Sequence, residues 1–292
     1  IMNSDKTNCS IITVNYNSYL FTENLLSSLR MNDCKTDTLY IIDNFSFDES
    51  YEKIFSLLKL NAKNKVNINN FKISTCYKIN NIYLVRLKKN YGYASAINIP
   101  LEINRKNNKN SYFWVINNDI EVEFNTLEIL KDQYVNNSII TPSVYDLNNR
   151  DRVQSLGCKI DSCFLTTKNI ISIRSLNNTK IDYLSGVSLF FDKNVLNKVG
   201  LFSENYFMYY EDVDWCIRAL NEDIKLKINL NTKIFHNHKK NINFKLKIHY
   251  LLNRLRLAFR FYKSKIPLVF LYTILSLLFN LFRYFFIIKN VK

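Results

Sequence analysis

Three groups of side chains have the types and spacings for chemistry. Asn117-Asn118-Asp119 puts a carboxylate at the end of an apolar run, Glu211-Asp212 sets two carboxylates side by side, and His236-Asn237-His238 contains two of the chain's three histidines. Carboxylates and imidazoles bind divalent cations and move protons near neutral pH, and a carboxylate within hydrogen-bond reach suffices as the base for an attacking alcohol. In the H-x-H stretch alternate strand residues face one side, so His236 and His238 are equivalent candidates. The D-x-D of Asp212-Val213-Asp214 opens a helical stretch, where residues two apart diverge by about 200° and cannot share one ion. It is rejected as a metal motif. Asp214 and Arg218, four apart, read as a helix ion pair.

Such groups need a scaffold, and the apolar pattern predicts one. Strands are expected at Ser10 to Tyr16, Leu39 to Asp43, Ile82 to Leu87 and Tyr112 to Ile116, with helices at Tyr19 to Met31, Glu49 to Leu60 and Ala94 to Asn104 between them. The Asn/Lys-rich stretch 61–81 reads as a surface insertion. Alternating strands and helices imply a mostly parallel sheet with covered faces. Ligands of such sheets bind beyond the carboxyl ends of the strands. Asn15 and Tyr16, Asp43 and Asn44, Lys89 and Asn90, and Asn117 to Asp119 should therefore converge. Beyond residue 120 the pattern predicts helices near Asn125 to Asn136 and Glu211 to Leu220. Strands follow around Ile139, Ile170, Tyr183 to Phe191, Leu226 and Ile234.

Composition narrows the class. With 292 residues, 47% of them hydrophobic, the chain can furnish a core and is not expected to be disordered. Only four glycines leave no G-x-G-x-x-G and no phosphate loop, and the six cysteines form no C-x-x-C, which fits a reducing compartment. The net charge of +15 is asymmetric: 15 of the 40 Lys plus Arg, and none of the 25 Asp plus Glu, lie after Asp223, so the preceding residues balance at 40 − 15 = 25 against 25. In that tail Leu251, Leu252, Leu255, Phe259 and Tyr262 recur at helical spacing, with Lys247, Arg254, Arg256, Arg260, Lys263 and Lys265 largely elsewhere on the wheel. The following run, Ile266 to Ile288, carries one charge, Arg283, and is long enough to span a bilayer or to lie in its interface. A membrane surface is the expected partner of this basic tail. Nucleic acid is not, because the cations are interleaved with large aliphatics and no helix-turn-helix, finger or RRM signature appears. No signal peptide is expected, since Ile11 to Val14 is too short for a hydrophobic leader core.

V-N-Y-N-S (14–18), I-I-D-N-F-S-F-D-E-S (41–50), N-Y-G-Y-A-S-A-I-N (90–98), I-N-N-D-I (116–120), the stretch 199–218 around Glu211-Asp212, and H-N-H (236–238) follow one another in an order that resembles family 2 glycosyltransferases. The likeness covers roughly residues 9–260, and H-Y-L-L-N-R-L-R (249–256) is similar to the bacterial rhamnosyltransferase-like branch. It implies an α/β GT-A fold, Rossmann-like with a mixed, mostly parallel sheet, over residues 1–240. The basic and hydrophobic helical segment 241–292 follows it. The resemblance further implies an inverting transfer of rhamnose or another hexose from a nucleotide-diphosphate sugar, with Mn²⁺ or Mg²⁺ bound. The acceptor would be a lipid-linked sugar or a polysaccharide of cell-surface glycan synthesis, at the cytoplasmic face of the bacterial inner membrane.

By the same resemblance Asp119 matches the metal-binding carboxylate, with Asn at the two positions before it. His236, or alternatively His238, matches a further metal ligand or diphosphate contact. Tyr16 would pack on the donor base and Asp43 or Asn44 bond to it, with Asn15, Asn90 and Asn118 completing the nucleotide set. Asp212 would be the general base, with Glu211, Tyr209 and Trp215 on the acceptor side. Gly92, Gly186 and Gly200 read as positive-φ or close-approach positions. The Asn-Asn spelling leaves open a second reading, a catalytically weak sugar-nucleotide-binding or scaffold subunit of a glycan-assembly complex.

Overall fold

A computed structural model describes residues 8–30, 37–106, 111–237 and 244–289, with side chains in the last segment described for 246–279. The first half runs β1 (Cys9–Asn15), α1 (Tyr19–Arg30), β2 (Thr38–Asp43), α2 (Ser50–Leu57), β3 (Ile73–Ile79), β4 (Ile82–Leu87), α3 (Tyr93–Lys106), β5 (Tyr112–Ile116) and β6 (Ile120–Val122). Then come α4 (Thr126–Asp132), β7 (Ser138–Asp146), β8 (Asn149–Ser155), β9 (Cys158–Ile160), β10 (Thr167–Asn169), α5 (Ile173–Asn177), β11 (Ser188–Asp192) and α6 (Lys193–Val199). The chain ends with α7 (Glu211–Asn221), β12 (Lys225–His236), α8 (Phe244–Phe261) and α9 (Ile266–Lys289).

Among the described residues one ten-stranded sheet runs β3-β4-β2-β1-β5-β11-β7-β12-β6, with β8 paired to β7. The β4-β2-β1-β5 block is parallel, and β11 joins β5 antiparallel. The fold is thus the mixed α/β sheet that the sequence predicts. Every residue of β1 is buried, as a strand covered on both faces must be.

Three expectations need correction. Residues 73–79, read as part of a surface insertion, form the edge strand β3, which pairs antiparallel with β4. The strands expected near Leu226 and Ile234 are one strand, β12, whose register against β7 shifts between Asn229 and Lys233. A bulge of this kind breaks the alternation that a single strand would show. The stretch expected as a strand from Tyr183 enters the sheet only at Ser188, Tyr183 making an isolated bridge to Cys158.

The tail also differs from the helical wheel. Leu257, Ala258 and Val269 are fully buried and belong to the main core. Arg254 is buried, its guanidinium 4.4 Å from the Tyr272 ring centre and bonded to Thr273 Oγ1, and Arg260 donates to Asp214 Oδ2 at 2.8 Å. Leu252 and Phe259 instead face outward. Because α8 packs against both the domain and α9, it buries more than one stripe, and arginines stitch it inward.

Candidate functional site

The N-N-D loop leaves β5 and turns straight into β6, which pairs with the end of β12 so that His236 stands opposite Ile120 and Asn237 N–H bonds to Asp119 O. This pairing brings the two predicted ligands together: His236 Nε2 lies 3.3 Å from Asp119 Oδ1. That oxygen is buried, yet no hydrogen bond of proper geometry reaches it. The other ring nitrogen, Nδ1, is 2.8 Å from Gln154 Nε2 and 3.2 Å from Oε1, so β8 orients the imidazole. An oriented imidazole beside a carboxylate oxygen that lacks a hydrogen bond is a donor pair able to hold a cation. Oxygen and imidazole donors suit Mn²⁺, and the residues fit such an ion. Among the described residues no cluster of three or more His, Cys, Asp or Glu forms. His238 lies outside the described residues.

Asn118 is turned toward α1. Its Nδ2 donates to Ser18 Oγ at 2.7 Å and Thr22 Oγ1 at 2.9 Å, tying the loop to α1. Those hydroxyls in turn donate to Asn15 Oδ1, while Asn15 Nδ2 donates to Asp43 Oδ2 at 2.9 Å. Asn44 Nδ2 donates to Asn90 Oδ1 at 2.9 Å, and its Oδ1 accepts from Tyr91 N–H. The strand ends do converge. The convergence is a polar lattice in which Asn15, Asp43 and Asn44 are buried and bonded to protein, so they set the shape of the floor. What faces outward is aromatic: Tyr16 is 41% and Phe47 79% exposed, with ring centres 6.1 Å apart edge to face.

The opposite wall is launched by strain. Tyr209 and Tyr210 both have positive φ, 69° and 71°, immediately before α7. Non-glycine residues in that region cost about 1–3 kcal/mol each and persist only where the surroundings over-determine them. The result is that Glu211 and Asp212 open the helix facing the site. Asp212 Oδ2 accepts from Gly186 N–H and Oδ1 from Val213 N–H, both at 2.8 Å. Gly186 is a close-approach position, since a Cβ there would sit 3.3 Å from Asp212 Cβ. Gly92, at φ 86°, would drive a Cβ into the Phe207 carbonyl.

One side chain that the sequence reading passed over joins the two walls. Tyr93 donates a long bond, 3.5 Å, to Gly186 O. Burial first, and then the charges of Glu211, Asp212 and Asp119, hold its hydroxyl well above the ordinary tyrosine range. Tyr209 is likewise raised by burial and by Glu211 and Asp119. The backbone links the two carboxylate groups as well: Asn117 N–H bonds to Val187 O, beside the Gly186 that holds Asp212. Burial, then the Asp212 charge, push the Glu211 carboxyl up to about 8, and Glu211 Oε2 is buried without a partner. Burial also raises Asp212, against the lowering effect of its backbone donors.

A stability prediction follows from Glu211. Its folded pKa lies above the unfolded value near 4.5, so the folded state holds the proton more tightly and apo stability falls as pH rises from about 4.5 to about 8. Glu211→Gln removes this loss. Its melting temperature should exceed wild type at pH 8 by a few degrees, at roughly 2–4 °C per kcal/mol, and the difference should shrink toward pH 5. Equal thermal profiles at both pH values would contradict it.

One predicted residue falls elsewhere. Trp215, expected on the acceptor wall, is fully buried, stacked on Phe202 at 4.5 Å, with its indole N–H on Gly200 O. It points down the inward face of α7 and is core. Asp214 is bonded to Arg218 and Arg260, so its oxygens are engaged away from any cation, as expected for the rejected D-x-D. A cavity of about 420 Å³ lined by Phe45, Tyr51, Arg86 and Lys88 among others lies toward β3 and includes none of the carboxylates above.

The model for Glycosyl transferase family 2 matches residues 10–200. The chain belongs to that family. As a family 2 glycosyltransferase it is 22% identical over 208 residues to the Haloferax volcanii low-salt glycan biosynthesis hexosyltransferase Agl10, covering 67% of each chain. Among solved structures it resembles GalNAc-T7 with UDP, GalNAc and Mn²⁺ (TM-score 0.67, 13% identity), covering 89% of this chain and 50% of that one. It also resembles the Pyrobaculum calidifontis mannosyltransferase PcManGT with GDP-Man and Mn²⁺ (0.58, 11%; 88% and 65%) and S. aureus TarS 1–349 (0.55, 16%; 86% and 64%). The chain spans half of the first and just under two thirds of the other two, and at these identities the likeness shows the GT-A fold.

Proposed function

We propose that this glycosyltransferase moves rhamnose or another hexose from a nucleoside-diphosphate donor to a lipid-linked or polysaccharide acceptor, inverting the anomeric carbon. The observation that supports the reading is that the N-N-D loop, through Asn117 N–H on Val187 O, adjoins Gly186, whose N–H holds Asp212 and whose carbonyl accepts from Tyr93, so that a ligand-type carboxylate and a base-type carboxylate are tied to one short segment. Asp119 and His236 would hold Mn²⁺ or Mg²⁺, whose contribution is Lewis-acid neutralisation of the leaving diphosphate. Asp212 takes the proton of the acceptor hydroxyl as that oxygen attacks, opposite the departing diphosphate, which gives inversion. The Gly186 and Val213 N–H groups hold both its oxygens in place meanwhile. The Tyr16-Phe47 pair offers the donor base an aromatic edge and face. The deciding assay is metal-dependent release of nucleoside diphosphate, after a thermal-shift panel of UDP, GDP and dTDP with Mn²⁺ has named the base. Release at background in wild type would leave the sugar-nucleotide-binding reading.

The tail supports membrane attachment, which would place the enzyme at the cytoplasmic face of the bacterial inner membrane. Leu268, Phe270, Leu271, Ile274, Leu275, Leu278 and Phe279 of α9 are exposed, a contiguous apolar face beside exposed Lys263. Among the described residues no helix is long and apolar enough to cross a membrane, so an interfacial seat is proposed. Wild type should float with vesicles containing anionic lipid, and Leu271→Glu with Leu275→Glu should abolish flotation while turnover on a soluble acceptor persists. Undiminished flotation of the double variant would remove the proposal.

A further inference from the structure

The residues that grip the strained turn come largely from outside the stretch matched by the family model. On α8, His249 stacks on Phe207 at 5.2 Å, Tyr250 meets Tyr209 and Tyr210 edge-on at 6.1 and 5.0 Å, and Asn253 Nδ2 donates to the carbonyls of both Met208 and Tyr209, at 2.8 and 2.9 Å. Positions i and i+4 of a helix are stacked and i+1 lies about 100° around the axis, so the three side chains occupy one broad arc, and here that arc lies along the turn. Asn253 is fully buried, and its Oδ1 accepts from Arg256, so the amide is oriented with both N–H groups toward the turn. On the other side the turn is seated on Gly92 and Tyr93, Tyr93 N–H bonding to Phe207 O at 2.9 Å. Between these two supports Tyr209 and Tyr210 hold the left-handed conformation that delivers Glu211 and Asp212.

We infer that α8 is a working part of the active site, and that Asn253 is a positioning residue whose two hydrogen bonds fix the 207–210 turn and thereby the placement of Asp212. This rests on the glycosyltransferase reading. It separates α8 from its neighbour: α9 leaves an apolar face exposed, whereas α8 turns Asn253 onto the 207–210 turn. Asn253 touches no donor-side residue described above, so its loss should act on turnover and leave donor affinity alone.

The test uses the full-length protein with the nucleotide selected by the thermal-shift panel and Mn²⁺. Asn253→Asp keeps the side chain's shape and removes both donors; Asn253→Ala removes the amide altogether. Leu257→Ala, one turn further along α8 and fully buried in the main core, makes no hydrogen bond to the turn through its side chain and is the packing control. Both Asn253 variants should lower the rate of nucleoside diphosphate release about tenfold to hundredfold, the scale of a 1 Å misplacement. The donor KM and the thermal shift caused by nucleoside diphosphate should stay within twofold and unchanged respectively. Leu257→Ala should lower the melting temperature with turnover retained below its transition. Release by both Asn253 variants within twofold of wild type would overturn the inference, as would an equal turnover loss in Leu257→Ala. A wild type that releases nothing would instead strike the underlying functional reading.

Discussion

Asp212→Asn is expected to lower turnover by two to four orders of magnitude, the range contributed by a positioned general base, while the nucleoside diphosphate still raises the melting temperature as in wild type. The substitution removes the acceptor of the proton and little else. Its steric fit is retained beneath Gly186. Only one backbone donor loses its partner, because an amide can keep its oxygen toward one N–H but must turn its NH₂ toward the other. That mismatch costs about 1–3 kcal/mol, offset by removal of a buried charge. The pH dependence separates base from scaffold. Burial raises the Asp212 pKa, so wild-type turnover should fall on acidification as the carboxyl takes up a proton, and that acid limb should vanish in the variant. A variant turning over within threefold of wild type, or one keeping the acid limb, would mean that another group takes the proton.

The sequence exposes Asp212 and conceals what holds it. Consecutive βα units such as β1-α1-β2 are legible because fully buried strands read as unbroken apolar runs between helical periods. β8 is missed because its sequence, N-R-D-R-V-Q-S, is that of an exposed ribbon beside β7, with no apolar face to mark it. Gln154 on that ribbon orients His236, a relation across 82 residues that no local spacing encodes. Tyr93 and Asn253 are invisible for the same reason: their meaning lies in contacts with Gly186 and with the Met208 and Tyr209 carbonyls. The inward arginines of α8 show the limit of charge patterning. Arg260 reads as a solvent-facing cation until the fold places the buried Asp214 against it.

Asp119→Ala should separate cation binding from fold more cleanly than any other change. Asp119 Oδ1 is buried, lacks a hydrogen bond and rests 3.3 Å from the His236 imidazole, so its removal costs the fold little. The apo melting temperature should stay within about 2 °C of wild type, the shift of less than 1 kcal/mol in a domain of this size. The ligand-linked gain behaves oppositely. Wild type at a nucleoside diphosphate and Mn²⁺ concentration 100-fold above Kd gains about 2.7 kcal/mol, and the variant should gain almost none of it, with turnover at background. Gln154→Leu should fall between them, since losing the partner that orients a ligand imidazole weakens metal affinity roughly 10–100-fold without deleting a ligand. If Mn²⁺ stabilised Asp119→Ala as strongly as wild type, the cation would sit elsewhere. The buried oxygen would then be only a contact between the loop before β6 and the end of β12.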